Sequence, residues 1–118
     1  MPTLLIADDS MFQRFQAAKV AREAGFDVLE AKDGAECLRL AHEHRPQALL
    51  LDLNMPDPGG LVVMEILARE LPDIVVAVVT ADIQETTRSR CLELGAKCFL
   101  NKPLDAADLT RALGSLLK

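Results

Sequence analysis

Asp8, Asp9 and Asp52 each follow a short run of aliphatic residues: LLIA precedes the first two and ALLL the third. A carboxylate placed straight after such a run sits at the end of a buried element, where the chain turns back toward water. Thr80 follows VVAVV in the same way, and Asn101, Lys102 and Pro103 follow CFL. Three carboxylates, a hydroxyl and an ammonium at one rim form a set with specific chemistry. Ionised carboxylates held about 5 Å apart repel by roughly 3 kcal/mol per pair at an effective dielectric near 20. A divalent cation relieves that repulsion, and all-oxygen ligation points to Mg²⁺ or Mn²⁺. An aspartate beside such a cation has the chemistry of a nucleophile toward a phosphoryl donor, giving an acyl phosphate. The transferred group carries charge on three equatorial oxygens. Mg²⁺, Lys102 and Thr80 are the right types to hold one each.

Each residue also has a plain structural reading by itself. Asp8, Asp9 or Ser10 could N-cap the first helix, where a short acceptor satisfies free N–H groups. Asp52 could be a turn residue, Thr80 a strand-end or capping residue, and Lys102 a solvated surface lysine. Their joint placement on successive strand ends is what favours a site.

The elements that must position them follow from the apolar pattern. Continuous runs at Leu4–Ala7, Asp27–Ala31, Ala48–Leu51, Ile74–Val79 and Cys98–Leu100 predict strands covered on both faces. Helical spacing lies between them. Ala17, Val20, Ala21 and Ala24 share a face that ends at Gly25, and Val62, Val63, Ile66 and Leu67 share another, with Pro72 just beyond. Ile83, Thr87, Cys91 and Leu94 form a third stripe closed by Gly95, and Leu109, Ala112, Leu113 and Leu116 a fourth. A weaker pattern runs from Ala35 to His44. Five strand–helix units predict an α/β fold, a parallel sheet with helices on both sides. Ligands of such sheets sit at the carboxyl ends of the strands. The second strand ends near Lys32, Asp33 and Gly34, a turn signature.

Composition narrows the function classes. A chain of 118 residues favours one domain over 1–118, and 50% apolar with 26% charged residues is ordinary for a soluble globular protein. A net charge of −5 argues against a broad basic surface for nucleic acid. With no apolar run long enough to span a bilayer and no basic, apolar leader, neither a membrane span nor a signal peptide is expected. Cys37, Cys91 and Cys98 are odd in number and lack CxxC spacing, so they read as reduced, mostly buried thiols of a cytoplasmic protein. Without Trp or Tyr there is no stacking platform for bases or sugars.

The motifs LLIADDS, AKDGAECL, LLLDLNMP with Gly60 four residues after Pro56, VVTAD and FLNKP follow one another without large insertion. In that order they resemble a receiver domain of bacterial two-component signalling, along essentially the whole chain. The resemblance implies a flavodoxin-like (βα)5 sheet with strand order 2-1-3-4-5. It implies that Asp52 is both the phosphoryl acceptor and a Mg²⁺ ligand, Asp9 a direct Mg²⁺ ligand and Asp8 one largely through water, with the backbone carbonyl of Asn54 completing the protein part of the metal shell. Thr80 is then the hydroxyl that swings toward the phosphoryl group, Lys102 its cationic partner, and Phe99 the switch aromatic that turns inward when Thr80 moves. The Lys102–Pro103 bond is cis in the family. Asn54 and Asp82 hold the positions that tune phosphoryl lifetime, and two small polar residues there imply a phosphoryl group lasting seconds to minutes. Such a protein catalyses only its own phosphorylation and dephosphorylation.

One stretch departs from the family pattern. The loop after the acceptor usually reads MPxMDG, whereas here it is Met55-Pro56-Asp57-Pro58-Gly59-Gly60. Pro58 stiffens it and Gly59 replaces an acid, which alters the start of the third helix and whatever partner reads it. Because the sequence stops after the fifth helix, output through protein contacts of the fourth helix, fifth strand and fifth helix is expected, as in chemotaxis-type regulators and phosphorelay shuttles. The upstream partner is then a histidine kinase or phosphotransfer protein. The stretch ADIQETTRSRCLELGA also resembles regulators paired with CheC- or CheX-type phosphatases. Rival readings fit less well. A flavodoxin-type cofactor binder wants Ser, Thr and Gly where Asp8 and Asp9 stand. A haloacid-dehalogenase-type phosphatase needs an acid where Asn54 stands. A receiver-like module that works without phosphorylation has no need of the intact Asp8, Asp9, Asp52, Thr80 and Lys102.

Overall fold

The structure, a computed structural model, describes residues 1–81 and 84–117. Strands and helices alternate strictly: β1 (Thr3–Ala7), α1 (Met11–Glu23), β2 (Asp27–Ala31), α2 (Gly34–His44), β3 (Ala48–Asp52), α3 (Gly60–Glu70), β4 (Val75–Thr80), α4 (Glu85–Glu93), β5 (Cys98–Asn101) and α5 (Ala106–Leu116). All strand pairings are parallel and the order is β2-β1-β3-β4-β5. This is the flavodoxin-like arrangement, and its strand order reverses between β1 and β3.

The continuous apolar runs are explained by burial on both faces. Leu4 and Ile6 of β1, with Ala48 and Leu50 of β3 and Ala77 and Val79 of β4, pack against Ala17, Ala18 and Ala21 of α1 and Leu109, Leu113 and Leu116 of α5. The alternate residues Leu5, Leu49, Leu51, Val76 and Val78 pack against Cys37 of α2, Val63, Met64 and Leu67 of α3, and Cys91 of α4. Side chains alternate between sheet faces, so each strand contributes to both cores.

Local signals set the helix ends. Ser10, Asp33 and Asp105 cap α1, α2 and α5 by accepting the N–H groups of Gln13, Glu36 and Ala107. Gly25 and Gly95 follow α1 and α4 at φ +95° and +98°, the left-handed conformation that closes a helix with least strain.

Two predicted stripes are shifted. On α1, Ala24 is exposed and Ala18 is buried in its place. On α3, Val62 is exposed, and the buried face is Gly60, Val63, Met64 and Leu67, spaced i, i+3, i+4, i+7. The phase of α3 is set by Gly60, whose backbone lies against β3: a Cβ there would fall 2.5 Å from both the Asp52 carbonyl oxygen and Leu53 Cα. On α4, only Cys91 is buried among the described residues; Thr87 and Leu94 are half-buried, and Ile83 lies outside the described residues.

Candidate phosphoryl-acceptor and metal site

The carboxyl ends of β1 and β3 bring three carboxylates together. Asp8, Asp9 and Asp52 each offer an oxygen, and these oxygens lie within 4.8 Å of one another. Asp52 closes β3 and is 1% exposed. Its Oδ1 accepts the Asn54 N–H at 2.9 Å, and its Oδ2 accepts from Lys102 Nζ at 2.8 Å. Asp8 is also buried, and its Oδ1 accepts the Ser10 N–H at 2.9 Å. Lys102 Nζ stands 3.9 Å from Asp8 Oδ2. Asp9 is exposed, which leaves its carboxylate facing solvent at the mouth of the cluster.

Burial holds the Asp8 carboxyl above its ordinary range. The Ser10 N–H pulls against this, the Asp52 charge reinforces it, Lys102 pulls back, and Asp9 adds a smaller push upward. Two buried anions with one ammonium, and a third anion at the mouth, leave an excess of negative charge in a cleft of oxygen donors. That donor set suits a hard divalent cation such as Mg²⁺, which prefers a few carboxylates and keeps several waters.

Thr80 ends β4 and is 1% exposed. Its hydroxyl and the Ala81 N–H both meet Asn54 Oδ1, at 3.4 and 3.2 Å. The exposed Asn54 thereby bridges the loops after β3 and β4. Lys102 follows β5, and its N–H donates to the Thr80 carbonyl at 3.0 Å, which fixes the start of the lysine side chain beside β4. The Lys102–Pro103 bond is cis, and so is Asp57–Pro58 in the divergent loop. Phe99 lies half-buried on β5 under the guanidinium of Arg88, 4.8 Å from its ring centroid. Asp82 lies outside the described residues.

Sequence reasoning missed Arg14, and it marked Pro58 without foreseeing what that residue packs on. Arg14 of α1 donates from Nη1 to the Asp8 carbonyl at 2.8 Å and pairs through Nε with Glu30 of β2 at 3.3 Å. Pro58 packs on α2, where a Cβ on Gly34 would lie 2.4 Å from the Pro58 carbonyl oxygen.

A family model described as the response regulator receiver domain matches residues 4–114. The chain belongs to that family. It is a receiver domain of two-component signalling, a family whose acidic pocket binds Mg²⁺. The chain is 38% identical over 117 residues to the transcriptional regulatory protein PrrA of Mycobacterium bovis, covering 99% of this chain and 50% of the relative. It thus spans about half the length of that curated relative. The chemotaxis protein CheY4 of Vibrio cholerae superposes with a TM-score of 0.92 at 25% identity, covering 99% of each chain. A CheY-like receiver domain from Methanospirillum hungatei superposes with a TM-score of 0.94 at 22% identity, covering 99% of this chain and 94% of that one, a likeness of fold. Among the described residues no helix is long and apolar enough to cross a membrane.

Proposed function

We propose that this receiver domain is a switch operated by phosphorylation of Asp52. One observation carries the reading: a carboxylate sealed at the end of a central strand, 2.8 Å from an ammonium and within 4.8 Å of two further carboxylates. Asp8, Asp9 and Asp52, with the Asn54 backbone carbonyl, are the residues that would hold Mg²⁺. When bound, that ion supplies charge neutralisation at the acceptor and on the transferred group. Asp52 Oδ attacks the phosphorus of a phosphohistidine on a histidine kinase or phosphotransfer protein. The new O–P bond forms as the P–N bond breaks, and the electron pair returns to the imidazole. The product on Asp52 is an acyl phosphate. Lys102 Nζ moves from the free carboxylate to a phosphoryl oxygen, and the Thr80 hydroxyl offers a further donor.

Output runs through protein contacts on the face built by α4, β5 and α5. Arg88 over Phe99 and the Lys102 N–H on the Thr80 carbonyl tie that face to the site. Phosphorylation shifts a pre-existing equilibrium there. The likeness to CheY4 supports a chemotaxis-type regulator or phosphorelay shuttle. Asn54 and Asp82, both small and polar, admit water and give a short-lived phosphoryl group.

Intact mass after incubation with Mg²⁺ and acetyl phosphate tests the reading. Wild type gains one phosphoryl group only when Mg²⁺ is present, and Asp52→Asn gains none. No adduct at any time, with beryllofluoride also failing to bind, makes a module that works without phosphorylation the better account.

A further inference from the structure

Arg14 breaks a local rule. It is the fourth residue of α1, near the helix end where backbone N–H groups already concentrate positive charge. Its side chain is 13% exposed, an unfavourable place for a guanidinium unless its donors are satisfied. They are satisfied by the Asp8 carbonyl at 2.8 Å and by Glu30 at 3.3 Å, and Glu30 is steadied from outside by Arg22 at 3.8 Å.

The carbonyl that Arg14 grips belongs to the peptide plane joining Asp8 to Asp9. A peptide is planar, so fixing that C=O fixes the direction in which the chain leaves toward Asp9. The other groups of Asp8 are held as well: its N–H donates to Ala31 of β2 at 3.1 Å, and its carboxylate accepts the Ser10 N–H. Asp8, Asp9 and Asp52 repel one another, and a loop free to respond would carry Asp9 outward. Glu30 sits in β2 in register with Ile6 of β1, so Arg14 straps the Asp8–Asp9 turn to the sheet itself.

We propose that Arg14, oriented by Glu30, is a positioning residue that holds the Asp8–Asp9 peptide in the geometry needed to bind Mg²⁺. The inference rests on the metal site of the proposed function. Partners that orient metal ligands from behind commonly contribute ten- to a hundredfold to affinity.

Mg²⁺ titration of the metal-free protein, followed by amide chemical shifts, tests this. Arg14→Met weakens Mg²⁺ binding by roughly tenfold, and Arg14→Lys, which keeps one donor for the carbonyl, recovers part of the loss. Glu30→Gln gives a smaller loss, and Arg14→Met with Glu30→Gln binds no more weakly than Arg14→Met alone, because the pair acts as a unit. Exchange of the Ser10 N–H in the metal-free state quickens in Arg14→Met. Arg22→Ala, which touches only the outer side of Glu30, leaves the Mg²⁺ constant unchanged. A folded Arg14→Met protein with the wild-type Mg²⁺ constant and wild-type Ser10 exchange overturns the proposal while leaving the metal site intact. If Arg14→Met does not fold, a Glu30→Gln protein with the wild-type constant and exchange overturns it equally. A wild-type protein that fails to bind Mg²⁺ overturns the metal site itself and the proposal with it.

Discussion

Replacing Asp8 with Asn should make the metal-free protein more stable. Asp8 is buried at the rim, with oxygens of Asp9 and Asp52 no farther than 4.8 Å and Lys102 Nζ at 3.9 Å. At an effective dielectric near 20, each repulsion amounts to about 3 kcal/mol and the single attraction to about 4 kcal/mol. Two repulsions against one attraction leave Asp8 opposing the fold by about 2 kcal/mol when ionised, before the cost of burying its charge. Asparagine keeps the shape and still accepts the Ser10 N–H. The expected gain in EDTA at pH 7.5 is about 2 kcal/mol, or roughly 8 °C in melting temperature for a domain of this size.

The pH dependence has a definite sign. The folded carboxyl binds its proton more tightly than the unfolded one, whose value is 3.8. Between the two values the native state carries the extra proton, so wild-type stability falls as pH rises through that window. The Asn variant does not titrate there. The gap in its favour therefore opens from acid toward neutral pH. Saturating Mg²⁺ closes it again by stabilising wild type more than the variant. Thermal melts by circular dichroism across pH 4.5–7.5, with EDTA and with Mg²⁺, read all three effects. A variant no more stable than wild type at pH 7.5 in EDTA, or a gap that stays constant with pH, refutes the electrostatic account of the rim.

Three further outcomes are expected. Lys102→Met strands the Asp52 carboxylate without its 2.8 Å partner and costs about 3 kcal/mol by urea denaturation in EDTA, most of which Asp52→Asn restores in the double variant. Gly60→Ala forces a methyl against the Asp52 carbonyl and Leu53 Cα, both backbone, and costs about 1–3 kcal/mol, whereas Gly59→Ala, 3.7 Å from the Met55 carbonyl, stays within about 0.5 kcal/mol. Burial, with the Asp33 charge, pushes the Cys37 thiol up to about 12, so about one molecule in ten thousand carries its thiolate at pH 8; iodoacetamide then modifies the half-buried Cys98 first, as peptide mass mapping shows.

The strands were legible to within a residue at either end because burial on both faces imposes an apolar run, one that only edge strand β2 breaks, at Glu30. The helices were less so. The buried face of α3 includes Gly60 and Met64, and neither advertises itself beside Val62 and Ile66, which are more conspicuous and less buried. On α4 a stripe of four apolar-leaning positions reduces to Cys91 among the described residues, because that helix mostly faces solvent. The rim residues Asp8, Asp9, Asp52, Thr80 and Lys102 were legible for a different reason: parallel strands end at one edge, so a polar residue after each run must land there. Arg14 and Glu30 gave no such cue. A long polar side chain in a helix normally faces water, and only the tertiary structure shows that this guanidinium turns back onto β1.

The hydrogen bonds around Asp52 also give direction to any signal that starts there. Toward β1 the surroundings are held rigidly: Asp8 is bound through its N–H, its carbonyl and its carboxylate, and Arg14 anchors the turn to β2. Toward β4 and β5 the contacts are of a kind that can be exchanged. The Lys102 ammonium is held by the Asp52 carboxylate, and the Thr80 hydroxyl and Ala81 N–H meet a side-chain oxygen of an exposed asparagine. Under the proposed function, a phosphoryl group on Asp52 would compete for those donors with three new oxygens. In that reading the exchange passes to Thr80, to Ala81 and to β5, where Phe99 lies under Arg88 of α4. The same asymmetry accounts for the cluster of repelling carboxylates. Two continuous cores supply the stability, so the rim can carry carboxylates that oppose the resting fold.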